Sequence, residues 1–138
     1  MVEFKLNIGD PKNGKTYKLE VKDAQAKPLI GKSIGESFKG ELIDLTGYEF
    51  EITGGSDNCG FPMRPDVKGS ARKKVLITNG IGFHTKRDGL RKRRNVAGNT
   101  VFDKTSQINL RILKHGKTAL VAEEKKEGEE KKAEEAKK

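Results

Sequence analysis

The chain reads as an all-β protein, mostly strand, closed into a small β-barrel with long basic loops and a short charged C-terminal tail. Three observations predict this class. Apolar and polar side chains alternate in several short stretches, the two-residue period of a strand with one buried face. Gly, Pro, Asn and Asp interrupt these stretches about every eight to twelve residues, the spacing expected of a small barrel or sandwich. Long helical periodicity is absent before residue 118. At 138 residues, 33% hydrophobic and without Trp, the chain can fill one modest core of Val, Ile, Leu and Phe.

Val2, Phe4, Leu6 and Ile8 alternate with polar neighbours and predict the first strand, which Asp10-Pro-Lys-Asn-Gly14 turns. Tyr17, Leu19 and Val21 alternate again and complete a hairpin. Residues 24–29 permit a short helical turn, confined by Pro28 to its first turn or to a loop. Residues 41–44 and 48–52 predict two strands around Thr46-Gly47. Thr53-Gly-Gly-Ser-Asp-Asn-Cys-Gly-Phe-Pro62 is too glycine-rich for a regular element and predicts the longest loop. Residues 74–78 predict a strand ending in Asn79-Gly80, and Ile108, Leu110 and Ile112 predict a late one.

Gly40-Glu-Leu-Ile-Asp with Tyr48-Glu-Phe-Glu-Ile52 is echoed by Gly98-Asn-Thr-Val-Phe-Asp with Gln107-Ile-Asn-Leu-Arg-Ile112. Duplicated hairpins and chance both account for that echo. The barrel domain is expected to span residues 1–121. Residues 122–138 carry seven Glu and six Lys with no large apolar side chain, so a disordered or partly helical tail is expected there.

Charge is distributed unevenly. Of the 54 residues from 64 to 117, 15 are Lys or Arg and only Asp66, Asp88 and Asp103 are acidic. Residues 1–63 hold eight Lys against ten Asp and Glu, so the net charge of +9 belongs to one stretch. Its centre is Lys86-Arg-Asp-Gly-Leu-Arg-Lys-Arg-Arg94, with six cations in nine positions. Clustered cations release condensed counterions from a polyanion, which points to a nucleic-acid partner. A solvated face or a localisation address is the competing reading of such a run. The run lies inside the domain with strand patterns on both sides and glycines at Gly89 and Gly98, as an ordered loop requires. With no zinc finger and no helix-turn-helix pattern, RNA is favoured over DNA. Few aromatics interleave the cations, so backbone contacts outrank base stacking.

Other motifs fail. Gly31-Lys-Ser33 resembles the end of a phosphate-binding loop, but Ala26 replaces its first glycine and Pro28 interrupts it. Gly80-Ile-Gly82 resembles part of a dinucleotide fingerprint, but Thr85 takes the third glycine position and a hairpin turn fits better. His84 and His115 have no second ligand at metal spacing, and His84 reads as an RNA or solvent contact. Cys59 is the only cysteine, lacks a partner base and reads as a small loop residue. A single cysteine, no apolar signal stretch and no run long enough to span a membrane lead to an expected cytoplasmic location. No catalytic site, cofactor, metal, small-molecule substrate or membrane partner is expected.

Gly54-Gly-Ser-Asp-Asn-Cys-Gly-Phe-Pro-Met63 and Gly89-Leu-Arg-Lys-Arg-Arg-Asn-Val-Ala-Gly98 resemble the two signature segments of small-subunit ribosomal protein six, archaeal–eukaryotic type. Phe4-Lys-Leu-Asn-Ile-Gly-Asp10, Ile30-Gly-Lys-Ser-Ile-Gly35 and Gln107-Ile-Asn-Leu110 also fit, so the resemblance covers roughly residues 1–118. It implies a β-barrel protein that binds small-subunit ribosomal RNA beside neighbouring ribosomal proteins, without a catalytic role. Asn95-Val-Ala-Gly98 departs from the family's common Ser-Val-Arg-Gly ending and removes one expected arginine contact at Ala97. The short tail, free of Ser and Thr after Thr118, resembles the archaeal form, so the phosphoregulation of the long C-terminal helix in eukaryotic members is not expected.

The expected contacts are Lys86, Arg87, Arg91, Lys92, Arg93 and Arg94 on an ordered loop, flanked by Arg64, Arg72, Lys73 and Lys74. The Gly54-to-Met63 stretch is expected to shape backbone, since Asp57 is its only charge. A free RNA-binding regulator of translation or RNA processing is the alternative reading.

Overall fold

The computed structural model describes residues 2–116. Seven strands occur among them: β1 (Glu3–Asp10), β2 (Lys15–Lys22), β3 (Ser37–Lys39), β4 (Glu49–Asp57), β5 (Lys73–Ile77), β6 (Lys92–Val96) and β7 (Thr105–Lys114). Five form one sheet in the order β2-β1-β7-β4-β3, and β5 and β6 form a separate two-stranded ribbon.

Alternation sets the sheet. Phe4, Leu6 and Ile8 of β1 are buried, and β2 pairs with β1 in register from Glu3↔Lys22 to Asp10↔Lys15. β1 also lies parallel to β7, with Leu6 opposite Ile108 and Ile8 opposite Leu110. Strands from near both ends of the described chain therefore share the middle of the sheet. β4 then pairs antiparallel with β7, placing Phe50 opposite Ile112 and Ile52 opposite Leu110. β3 adds Phe38 opposite Phe50. Tyr48 stacks on Phe50 at 5.7 Å and Phe38 tilts against it at 5.8 Å, so Phe50 is the hub of the aromatic end of the core. Removing each of these side chains from water contributes about 1.5–3 kcal/mol.

The expected closed barrel is not formed. β2 and β3 are the two sheet edges and do not pair with each other. At three residues β3 is too short to span β2, and the chain between them uses its backbone elsewhere. After a 3-10 turn at Lys27–Leu29, Gly31 N–H donates to Val101 C=O at 2.9 Å and Ile34 N–H to Asn99 C=O at 3.0 Å. Val101 N–H donates back to Lys32 C=O at 2.8 Å. These bonds tie the chain between the two edge strands to the segment before β7.

Three further expectations change. Residues 41–44 are not a strand: Gly40–Ile43 is a 3-10 helix, ended by Asp44 in the left-handed region at φ 60°. The glycine-rich stretch after Ile52 is not wholly a loop, because β4 continues to Asp57 through irregular pairing at Ile52/Gly54 and Ser56/Asp57. Glycine makes this possible: a Cβ at Gly55 would lie 2.3 Å from the Gln107 carbonyl oxygen, so only a bare backbone lets β4 approach β7 there. The internal echo survives only in β4 and β7, which pair with each other; a 3-10 helix precedes one and irregular chain the other. The expected tail, residues 122–138, lies outside the described residues. Among the described residues, no helix is long and apolar enough to cross a membrane.

The β1–β2 turn is organised by Asp10, which is buried. Its Oδ1 accepts from Lys12 N–H at 2.9 Å, its Oδ2 from the Asn13 amide at 2.6 Å, and His115 Nε2 lies 3.5 Å from Oδ1. Burial acts to raise the carboxyl pKa, but the Lys12 and Asn13 N–H groups, the His115 charge and the Asn13 amide outweigh it and leave it below its usual value. A carboxylate with a depressed folded pKa stabilises the fold above its unfolded pKa, near 3.9, and loses that contribution as pH falls through the folded value. Asp10→Asn should therefore be less stable than the parent near pH 7, with the gap closing below about pH 4. Urea unfolding at both pH values checks this; an equal gap at each would assign the effect to something other than the carboxylate charge.

Candidate nucleic-acid interface

The basic run is half loop and half strand. Lys86, Arg87 and Arg91 lie in the connection between β5 and β6, while Lys92, Arg93 and Arg94 are in β6 itself. The expectation of a loop throughout is corrected by pairing with β5: Ile77 faces Lys92, Leu76 faces Arg93, Val75 faces Arg94 and Lys73 faces Val96. Directly opposed residues share a face. One face thus carries Lys73, Val75, Ile77, Lys92, Arg94 and Val96. Its Ile77 and Val96 bury with Val67 in a second small core, and Val75 and Phe83 pack against them. Arg94 holds its guanidinium 5.5 Å from the Phe83 ring centroid. The opposite face, with Lys74, Leu76, Arg93 and Asn95, is exposed. Three apolar residues thereby order a strand that its charges alone would leave in solvent.

The ribbon is moored to the sheet by backbone. Ala97 N–H donates to Pro62 C=O at 2.9 Å, Arg64 N–H to Ala97 C=O at 3.2 Å and Asn99 N–H to Val67 C=O at 2.8 Å. At Gly98 the chains approach so closely that a Cβ would lie 1.7 Å from the Gly69 carbonyl oxygen. Ala97, where the arginine common in the family is missing, is buried in the main core.

Arg72 supplies the polar half of the mooring. Its Nε donates to Oδ2 of Asp57, whose side chain is fully buried at the end of β4. Its Nη2 donates to Asn58 Oδ1 at 2.9 Å and to Cys59 Sγ at 3.3 Å, and its guanidinium lies 5.4 Å over Phe61. Hydrogen bonding to Asp57 is the leading cause of an Arg72 pKa raised above its usual value. Arg64 is spent similarly, donating from Nη2 to Asp66 at 2.7 Å and from Nη1 to the Ile81 carbonyl at 3.3 Å.

The remaining expected cations, Lys73, Lys74, Lys86, Arg87, Arg91, Lys92, Arg93 and Arg94, are exposed, and among the described residues none of them forms an ion pair. His84 is exposed beside them, and Cys59 is exposed at the Arg72 mooring. No group of three or more His, Cys, Asp or Glu among the described residues could hold a metal ion. Sequence reasoning missed the pairing of Asp57 with Arg72. The lone acid in a glycine-rich stretch was the available signal, but nothing separates Arg72 from Lys73 and Lys74 in the sequence.

An open β-sheet with a cationic two-stranded ribbon moored against it defines a small basic β-protein that displays charge on an ordered surface. The sequence model of the family described as ribosomal protein S6e matches residues 4–124. The chain is 48% identical over 120 residues to the small ribosomal subunit protein eS6 of Archaeoglobus fulgidus, covering 86% of this chain and 93% of that protein. It is 43% identical over 120 residues to the protein of the same name from Methanocaldococcus jannaschii, covering 87% and 89%. The namesake from Haloarcula marismortui is 43% identical over 116 residues, covering 84% and 90%. The chain belongs to the ribosomal protein S6e family.

If Arg72 moors the ribbon, Arg72→Ala should leave the five-stranded sheet intact and loosen the ribbon. Native-state hydrogen exchange should quicken far more at the β5–β6 amides than at Leu6 and Leu110. Uniform acceleration across both sheets would mean that Arg72 supports the whole fold instead.

Proposed function

We propose that the protein is a structural, non-catalytic constituent of the small ribosomal subunit that binds ribosomal RNA through the ribbon and its connecting loop. Family membership and relatives named as small-subunit proteins support the first half. One observation carries the second: eight exposed cations, with no ion-pair partner among the described residues, are gathered on a hairpin and its loop, and that hairpin is ordered by its own apolar cluster and by Arg72. Its place of action is then the ribosome in the cytoplasm, with neighbouring ribosomal proteins as further partners.

The mechanism is electrostatic positioning. Lys86, Arg87 and Arg91 on the loop and Lys92, Arg93 and Arg94 on β6 neutralise phosphates, while Lys73 and Lys74 extend the field along β5. Arg93 and Lys74 share the exposed face, and Arg94 is braced by Phe83, so the cations are presented from two sides of one strand pair. Ordering them beforehand lowers the entropy cost of fixing long side chains on binding. Arg64 and Arg72 contribute through the mooring, not by contact.

Replacing Arg91, Lys92, Arg93 and Arg94 together with Ala should weaken binding to small-subunit RNA at every sequence. Each phosphate contact contributes about 0.7 to 0.9 to the log–log salt slope, so the slope should fall by roughly three. The main-sheet fold should survive, because exposed charges add little stability. A folded variant with an unchanged slope would make the run a solvated face.

A further inference from the structure

The outer face of the main sheet holds a second polar array that the ribbon does not use. Pairing across β2, β1 and β7 aligns Lys18, Asn7 and Asn109 in one row, and β4 places Gly54 beside Asn109. A neighbouring row holds Thr16, Gly9, Arg111 and Glu51, and another holds Glu20, Lys5, Gln107 and Ser56. No large apolar side chain occurs in these rows. The asparagine amides are half-buried and mutually fixed: Asn109 Oδ1 accepts from Asn7 Nδ2 at 3.3 Å and from Gln107 Nε2 at 2.8 Å.

That bonding saturates one atom and leaves others unspent. Both lone pairs of Asn109 Oδ1 are occupied, whereas its Nδ2 donors have no partner among the described residues. Asn7 Oδ1 and Gln107 Oε1 are likewise acceptors without a partner among the described residues. The result is a half-buried amide cluster on strands with both donors and acceptors to spare. Two residues along, about 7 Å on a strand, Arg111 borders a shallow cleft of about 290 Å³ lined also by Gly9, Pro11 and Thr16, with Lys15 reaching it from the hairpin end opposite Asp10. Asp10 also lines it, but its carboxylate is engaged by Lys12, Asn13 and His115. Lys5 is opposite Glu20 at 3.8 Å, whereas Arg111, Lys15 and Lys18 form no ion pair among the described residues.

We propose that this face is a second RNA site, taking one unpaired nucleotide with its phosphate on Arg111 at the cleft and its base edge on Asn7, Asn109 and Gln107. The site rests on the reading above only in taking RNA as the partner. A protein-docking face needs an apolar core, and these rows have none. Nucleic-acid interfaces are polar and cationic, and amide side chains read base edges by paired donors and acceptors. Glu51 beside Arg111 keeps the field weaker than at the ribbon, so this site adds contact to RNA already held there.

The test uses the full chain labelled with ¹⁵N and titrated with single-stranded hexaribonucleotides of A, C or U, and separately with duplex RNA. Single strands should shift the side-chain amide signals of Asn7, Gln107 and Asn109, and duplex RNA should shift ribbon signals alone. The double variant Asn109→Ala with Arg111→Ala should lose at least about tenfold in single-strand affinity, as expected for the loss of one base-edge and one phosphate contact, and keep duplex binding. The ribbon variant should lose duplex binding and retain the Asn7 and Asn109 shifts at high protein concentration. Side-chain amides silent to every RNA, or unchanged single-strand affinity in the double variant, would overturn the proposal. The same face shifting only on addition of another ribosomal protein would also overturn it. Duplex binding untouched in the ribbon variant would overturn the ribbon reading and leave this one standing.

Discussion

A buried carboxylate must be met by a cation, and Asp57 at the end of β4 is met by Arg72. An unpaired charge at that depth would be strongly unfavourable. The requirement fixes where the chain can pass after the sheet's bulged strand. Fifteen residues on, Arg72 must return to the same spot, immediately before β5 begins. The Asn58 and Cys59 contacts and the Phe61 ring then fill the remaining faces of the guanidinium. Placing β5 places β6, because among the described residues each is the other's only partner strand. The ribbon's orientation thus follows from one ion pair, reinforced by the tight approach at Gly98.

This arrangement divides the basic residues by job. Arg64 and Arg72 are spent inside the molecule, where a forked guanidinium can satisfy several acceptors at once. Among the described residues, the lysines and arginines of the ribbon and loop form no ion pair and lie on an ordered surface. A stretch that looks uniformly basic in sequence is therefore part internal bracket and part display. The small cluster of Val67, Ile77 and Val96 is what allows display from a strand, since without it β6 would have no reason to lie against β5.

Much of the sheet was legible because its strands alternate cleanly: Phe4, Leu6 and Ile8, then Ile108, Leu110 and Ile112, bury as their spacing requires. The barrel expectation failed for a reason periodicity does not carry. Closure depends on whether edge strands are long enough to pair, and β3 has three residues. Residues 41–44 mislead because Leu42 and Ile43 are apolar neighbours in either a strand or a tight 3-10 turn; the left-handed Asp44 decides between them. β6 was hidden because alternation there involves charge on both faces, with only Val96 to mark the inside. At the site, the run of cations was visible as charge, but which of them were free depended on contacts between residues 57 and 72, a long-range fact. The amide rows of Asn7, Gln107 and Asn109 are of the same kind, created by parallel pairing of strands about a hundred residues apart.

The central claim is that the moored ribbon presents its cations to ribosomal RNA. Photo-crosslinking from the exposed face tests it most directly. Small subunits would be assembled with protein carrying a short-range photoreactive side chain at Arg93, and in a control at Leu42, which is outside the ribbon. The account predicts RNA adducts from position 93 in excess of those from position 42, and their loss when Arg72 is also replaced. Intact particles in which position 93 yields only protein adducts, or none, would contradict it.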